Sequence, residues 1–182
     1  MSADERSPNW TFTFHRVQRD RFRMGELGAE WAARYPMLFD KDDVRILATE
    51  HQRKYHFLEW LAAILLYEAT GYFSLVEGYT ARSHDDKLRQ LEGVVGPGMF
   101  EELLKDESGQ PDLFVFHPVA KHWFFCEVKG PGDKERVNQR LWIERFNAMA
   151  QKHGLRHNVK EKTKLVRFIE LRNAGGSVKE PK

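Results

Sequence analysis

Two runs of almost unbroken apolar and aromatic residues, Leu113 to His117 and His122 to Val128, stand four residues apart in this chain. Both have strand length and are rich in Phe, Val and Trp, which suit a pleated sheet. Joined through Pro118 to Lys121, they read as an antiparallel hairpin in which His117 faces His122. Counting outward, Phe116 opposes Trp123, Phe114 opposes Phe125, and Asp112 stands opposite Glu127. Opposed residues project to one face, and strand alternation adds Lys129 to the face of Glu127. Leu113 with Cys126, and Val115 with Phe124, make the other face equally apolar. Both faces therefore need cover, and the hairpin belongs in the interior of a sheet.

Two acids and a lysine at one end of a buried sheet are costly unless they are paired or hold a metal. Hard divalent cations take oxygen ligands, commonly one or two carboxylates with water and substrate phosphate. Asp112 and Glu127 can supply such carboxylates. Lys129 can hold an attacking water or the charge of a transition state, and nearby metals would favour its deprotonation. The plainer alternative is a salt bridge between Lys129 and one of the acids.

The rest of the chain alternates elements around this hairpin. Asp43 to Thr70 has a helical pattern through Leu58, Leu61, Ala62, Leu65 and Leu66, with Gly71 placed to stop it. Tyr72 to Tyr79 reads as a strand, and Asp85 to Val94 and Pro97 to Lys105 as two short helices. Gly109-Gln110-Pro111 opens a new section. Asp133 can cap a helix running to about Lys152, ended by Gly154, and Lys164 to Leu171 is a last strand. Upstream, Gly25 to Arg34 suggests a short helix and Pro36 to Asp40 a turn. The order describes one α/β domain with a central sheet covered by helices. Residues 1–9 and 174–182 are polar tails.

Net charge is only +2, but it is unevenly spread. Residues 1–133 carry 16 Lys and Arg against 22 Asp and Glu, whereas residues 134–172 carry 11 against 4. Cations beside carboxylates suit an enzyme of phosphodiesters, although a solvated helix and strand would show the same bias. Lys160, Lys162, Lys164 and Arg167 form a candidate DNA track within that segment. The single cysteine, Cys126, excludes an internal disulfide, and with no secretory pattern or membrane-length apolar run the expected location is cytoplasmic.

Gly109-Gln110-Pro111-Asp112-Leu113, then Glu127-Val128-Lys129-Gly130-Pro131-Gly132-Asp133, then Gln139 and Trp142, resemble the VRR-NUC family of PD-(D/E)xK nucleases. The resemblance extends from about Glu59 to Leu171. It implies a restriction-endonuclease-like fold, a central mixed β-sheet flanked by helices, over residues 44–172. Residues 1–43 then form an N-terminal extension and 173–182 a flexible tail. It implies a DNA endonuclease dependent on Mg2+ or Mn2+ and acting on branched DNA, such as Holliday junctions or flaps, the alternatives being a non-catalytic DNA-binding or interaction module of the same fold and a restriction or transposition endonuclease. Asp112 and Glu127 would be metal-binding acids, Lys129 the catalytic lysine, and Gln139 the family's helix glutamine. Glu135 stands where the family tends to carry an apolar residue.

Nucleases of this fold usually add an acid from the first core helix. Glu59, among the apolar neighbours Leu58, Trp60 and Leu61, is preferred over Glu68 and Glu50, which stay open. Symmetric resolution of a four-way junction would need a homodimer. The aromatics between Trp10 and Phe39 could serve its interface, or pack on the chain's own core. His153 and His157 are separated by Gly154 and make a poor zinc pair. Cys126 points away from the acids and reads as a core residue.

Overall fold

The hairpin lies at the centre of the molecule. In the computed structural model, which describes residues 8–76, 78–81, 84–105, 109–120, 122–154 and 162–171, β3 (Leu113–Phe116) pairs antiparallel with β4 (Trp123–Lys129). The register is the one counted from the sequence: Leu113 with Cys126, Phe114 with Phe125, Val115 with Phe124 and Phe116 with Trp123. The His117 N–H donates to the His122 carbonyl at 2.8 Å and closes the ladder. Every residue of both strands is buried.

Three more strands complete the sheet in the order β1-β5-β4-β3-β2. β2 (Phe73–Val76) runs antiparallel to β3, and β5 (Thr163–Leu171) runs parallel to β4. At the far edge β1 (Trp10–His15) runs parallel to β5. Asn9 extends this pairing: its N–H donates to Leu165 O at 2.8 Å, and its Oδ1 accepts from the Leu165 N–H at 2.9 Å. The N-terminal segment thus contributes a strand to the central sheet.

Two helical layers cover the sheet. On one side α5 (Phe57–Thr70) sets Leu61, Ala62 and Leu66 in a core with Leu113, Val115, Cys126, Val128 and Val166. Gly71, at φ 74°, ends this helix in the left-handed conformation that glycine adopts without a Cβ penalty. From the N-terminal side, α1 (Arg16–Arg23) and α2 (Glu26–Arg34) bring Phe22, Leu27 and Trp31 into the same core beside Phe14. Tyr35 is buried there, and Trp10, Phe12 and Phe39 pack against it. The aromatics of this segment are therefore used within the chain's own core.

The helix expected from Asp43 to Thr70 is in fact three: α3 (Lys41–Leu47), α4 (Glu50–Tyr55) and α5. Asp40 caps the first by accepting the Asp43 N–H at 2.7 Å. The Arg53 guanidinium then donates to Leu47 O, Ala48 O and Arg23 O. These end carbonyls take a side-chain donor in place of the next helical turn.

On the other side lie α6 (Asp85–Val95), α7 (Pro97–Leu103) and α8 (Val137–Lys152). They bury Leu91, Leu103, Trp142 and Phe146 against Phe114 and Phe125. α8 starts later than expected, with Arg136 at its cap. Asp133 is engaged elsewhere, its Oδ2 accepting the Gly130 N–H at 2.8 Å. The whole is a mixed β-sheet flanked by helices, a restriction-endonuclease-like α/β fold. Among the described residues no helix is long and apolar enough to cross a membrane.

Candidate active site

Asp112 lies one residue before β3, level with Glu127 in the register, and its Oδ2 accepts the Val128 N–H at 2.7 Å. Glu127 and Lys129 alternate on β4, only 4% and 6% exposed. Lys129 Nζ donates to Glu127 Oε1 at 2.8 Å and to Gln139 Oε1 at 2.8 Å. The ion pair considered from the spacing is thus present, with a third partner. Gln139 sits in the first turn of α8, where its Oε1 also accepts the Arg136 N–H at 2.9 Å and its Nε2 donates to Glu127. One amide therefore links the helix cap, the lysine and the glutamate.

The three helix acids separate. Glu59 is in the first turn of α5, where the helix dipole favours a carboxylate. Its Oε1 is 3.8 Å from His56 Nδ1, and its charge acts on Asp112. Glu68 accepts a hydrogen bond from the Tyr35 hydroxyl and lies 3.8 Å from Arg34. Glu50 is exposed on α4. Of the three, only Glu59 contributes to the electrostatics of Asp112.

Burial pushes the Asp112 carboxyl well above the usual carboxylate range, and the charges of Glu127 and Glu59 push it further. The Val128 N–H and the Lys129 ammonium oppose this shift without cancelling it. Acids that raise one another in this way are relieved by a cation. The donors are oxygen only, which fits Mg2+ or Mn2+ completed by water and phosphate, and not a structural zinc cage. No group of three or more His, Cys, Asp and Glu side chains among the described residues is assembled to hold a metal by itself.

A cleft of about 320 Å3 opens at Asp112, lined by Gly78, Tyr79, Thr80 and Ala81 on one side and Gly109 to Pro111 on the other. Side chains lock its walls together. The Tyr79 hydroxyl donates to Pro111 O at 2.9 Å, and Thr80 Oγ1 donates to Gln110 Oε1 at 2.9 Å. Gln110 Nε2 in turn donates to Leu103 O at 3.1 Å. Burial, with the nearby charges of Asp112 and Glu127, raises the Tyr79 phenol well above its ordinary value and keeps it a donor. Lys87 is buried on α6, donating to Val76 O at 2.8 Å and pairing with Asp43 at 2.5 Å, which ties α6 to the end of β2.

Gly109 explains how α8 comes so close. At φ +79° it lies against the helix start, and a Cβ there would sit 2.5 Å from Asn138 O. Sequence reading missed the roles of Tyr79, Lys87 and Asp43. Gly109-Gln110-Pro111, read as the opening of a section and of the motif at Asp112, was the nearest signal.

Other candidates fall elsewhere. Lys162 is withdrawn from the suggested DNA track: it is buried, donating to Trp123 O at 2.7 Å and lying 4.2 Å from the Trp123 ring centroid. His153 lies 3.4 Å from Glu102, remote from the acids in the fold. Cys126 is buried in the core on the α5 side. His157, Lys160, Lys121 in the hairpin loop and the tail 173–182 lie outside the described residues.

A family model described as the VRR-NUC domain matches residues 70–161, just over half of the chain. Among curated proteins, a Fanconi-associated nuclease 1 homolog from Pseudomonas aeruginosa is 43% identical over 49 residues, 25% of this chain and 9% of that protein. The homolog from Caenorhabditis elegans is 44% identical over 46 residues, 25% of this chain and 5% of that protein. The matched part is thus under a tenth of the length of these relatives. A crystal structure of paFAN1 bound to 2nt 5'flap DNA with gap aligns over 85% of this chain and 22% of its own, at 19% identity and a TM-score of 0.30.

Proposed function

The chain belongs to the VRR-NUC domain family, and on that premise we propose that it is a Mg2+- or Mn2+-dependent DNA endonuclease acting on branched DNA. The observation that carries this reading is the buried constellation of Asp112, Glu127 and Lys129 beside an open cleft. Asp112 and Glu127 would hold the metal, with Glu59 as the third acid whose charge already acts on Asp112. A divalent cation bound there polarises the phosphoryl group and lowers the pKa of water. Lys129 orients the attacking water and stabilises charge developing on the phosphate. Gln139 fixes the lysine and glutamate rotamers through its three hydrogen bonds. The Tyr79 and Thr80 contacts hold the cleft open for the scissile phosphate.

The test is cleavage of labelled linear duplex, flap and four-way DNA with Mg2+, Mn2+ or EDTA. The expected result is metal-dependent cutting, with the branched substrates preferred. Asp112→Asn or Lys129→Ala is expected to slow cutting by on the order of 10²-fold or more, with the circular dichroism spectrum unchanged. Substantial activity in both variants would remove these residues from the mechanism. Paired incision of the four-way junction calls for a homodimer and flap cutting for a monomer, which light scattering on the same samples separates.

A further inference from the structure

Asp112 is the acid of the site that the strand ladder does not hold. The paired register of β3 and β4 begins at Leu113 with Cys126, so Asp112 stands one residue outside it. The charges of Glu127 and Glu59 both press on its carboxyl, and Lys129 offsets only part of this. Like charges gathered in this way favour a chain that moves them apart. Two hydrogen bonds oppose that movement. The Val128 N–H donates to Asp112 Oδ2 at 2.7 Å, and the Tyr79 hydroxyl donates at 2.9 Å to the carbonyl of Pro111, the peptide that leads into Asp112.

The Tyr79 anchor is itself fixed. The residue is 1% exposed, and its ring centroid lies 6.2 Å from those of both Phe114 and Phe125. Phe114 comes two residues after Asp112 and Phe125 two before Glu127, so the phenol rests on the strands that carry the acids. Pro111 adds a constraint of its own, because the pyrrolidine ring fixes φ at about −65°. One residue further back, Gln110 accepts from Thr80 and donates to Leu103 O. The peptide before Asp112 is thus held at its oxygen, by its ring and through the residue behind it.

We propose that Tyr79 is a positioning residue of the metal site, holding the Pro111–Asp112 peptide so that the Asp112 carboxylate keeps its place beside Glu127 for a divalent cation. The inference rests on the metal-dependent nuclease reading above. A group that orients a metal ligand without touching the metal raises affinity, because the acids are gathered before the ion arrives. The Tyr79 hydroxyl acts on the ion only through Asp112. Its loss is therefore read in metal affinity and not in DNA binding.

The test is Mn2+ binding to the DNA-free protein, followed by electron paramagnetic resonance of the free ion. Tyr79→Phe removes one oxygen and keeps the ring. It is expected to weaken Mn2+ binding by roughly 10–100-fold. The Mn2+ concentration for half-maximal cutting should rise in proportion, while KM for DNA at saturating Mn2+ is kept. Pro111→Ala frees the same peptide but keeps the phenol; it should weaken Mn2+ in the same direction and takes over the test where Tyr79→Phe does not fold. Tyr35→Phe deletes another buried phenol hydroxyl, which donates to Glu68 near the far end of α5 from Glu59. It should lose stability in urea and bind Mn2+ as the parent does. Parental Mn2+ affinity in folded Tyr79→Phe, or in Pro111→Ala where that alone folds, would overturn the role and leave the metal reading standing. An equal loss of affinity in Tyr35→Phe would overturn it too, because any loosening of the fold would then suffice. A parent that takes up no Mn2+ would instead remove the metal reading on which the role rests.

Discussion

β4 and β5 are neighbours in one sheet, yet they sit in opposite circumstances. All seven residues of β4 are buried, with α5 behind and α8 in front. β5 buries Val166 and Phe168 on one face and leaves Ile169 and Leu171 outward on the other. The acids and the lysine occur at the end of the strand that is closed on both sides, where low dielectric strengthens each interaction among them. The half-covered strand lies beside it, open to solvent at Ile169. Close packing and exposure are thus divided between adjacent strands.

The largest expected effect tests that division directly. Phe125, ringed by Phe114, Trp142 and Phe146, should cost about 3–5 kcal/mol when cut to Ala. Ile169→Ala on β5 should cost less than about 1 kcal/mol. Urea denaturation measures both, and similar losses would break the contrast between the strands.

A smaller effect separates two glycines. Gly109→Ala forces a Cβ against Asn138 O at positive φ and should cost about 1–3 kcal/mol. Because α8 must shift, Gln139 loses its place on Lys129, and activity should fall more than stability does. Gly71→Ala, at similar φ but with nothing within 4 Å of the added Cβ, should cost about 1 kcal/mol and spare activity. Equal loss of activity in the two variants would dissociate Gln139 from the packing of Gly109.

The smallest effect lies in pH. The folded Asp112 carboxyl titrates above its unfolded value of about 4. Folding therefore takes up a proton between the two values, and metal-free stability falls as pH rises through that window. Asp112→Asn should remove this part of the slope and be more stable than the metal-free parent at neutral pH, by on the order of 1 kcal/mol. Added Mg2+ should narrow the gap by binding the folded parent. A less stable variant with an unaltered slope would show that the carboxylate is not strained in the metal-free fold.

What could be read in the sequence was mostly local. The hairpin register follows from loop length and alternation, which set Asp112 opposite Glu127. Gly71 marked the end of α5 correctly. The misses came from distant partners. Nothing near Thr49 announces the break between α3 and α4, because its donor is the side chain of Arg53, which also bonds Arg23 O thirty residues away. Asp133 has the composition of a helix cap but is used by the Gly130 turn. β1 alternates Trp10, Phe12 and Phe14 with polar residues, a recognisable strand pattern, but nothing local names β5 as its partner. The Asp43–Lys87 pair joins two helices whose charged residues look like ordinary surface.

The edge position of β1 has a consequence for how the polypeptide is made. Its strand partner β5 leaves the ribosome about 150 residues later, which at about 5–20 residues per second is about 8–30 s. Throughout that interval the N-terminal strand has no sheet edge to join, although α5 can already receive Phe14 and Phe22. Helical contacts at one end and the β3–β4 hairpin can form during synthesis. The Asn9–Leu165 bonds and the β1–β5 ladder wait until β5 has emerged. The nascent chain therefore carries an unpaired aromatic strand throughout that interval, and a chaperone that recognises extended apolar segments would find its binding site at residues 10–14.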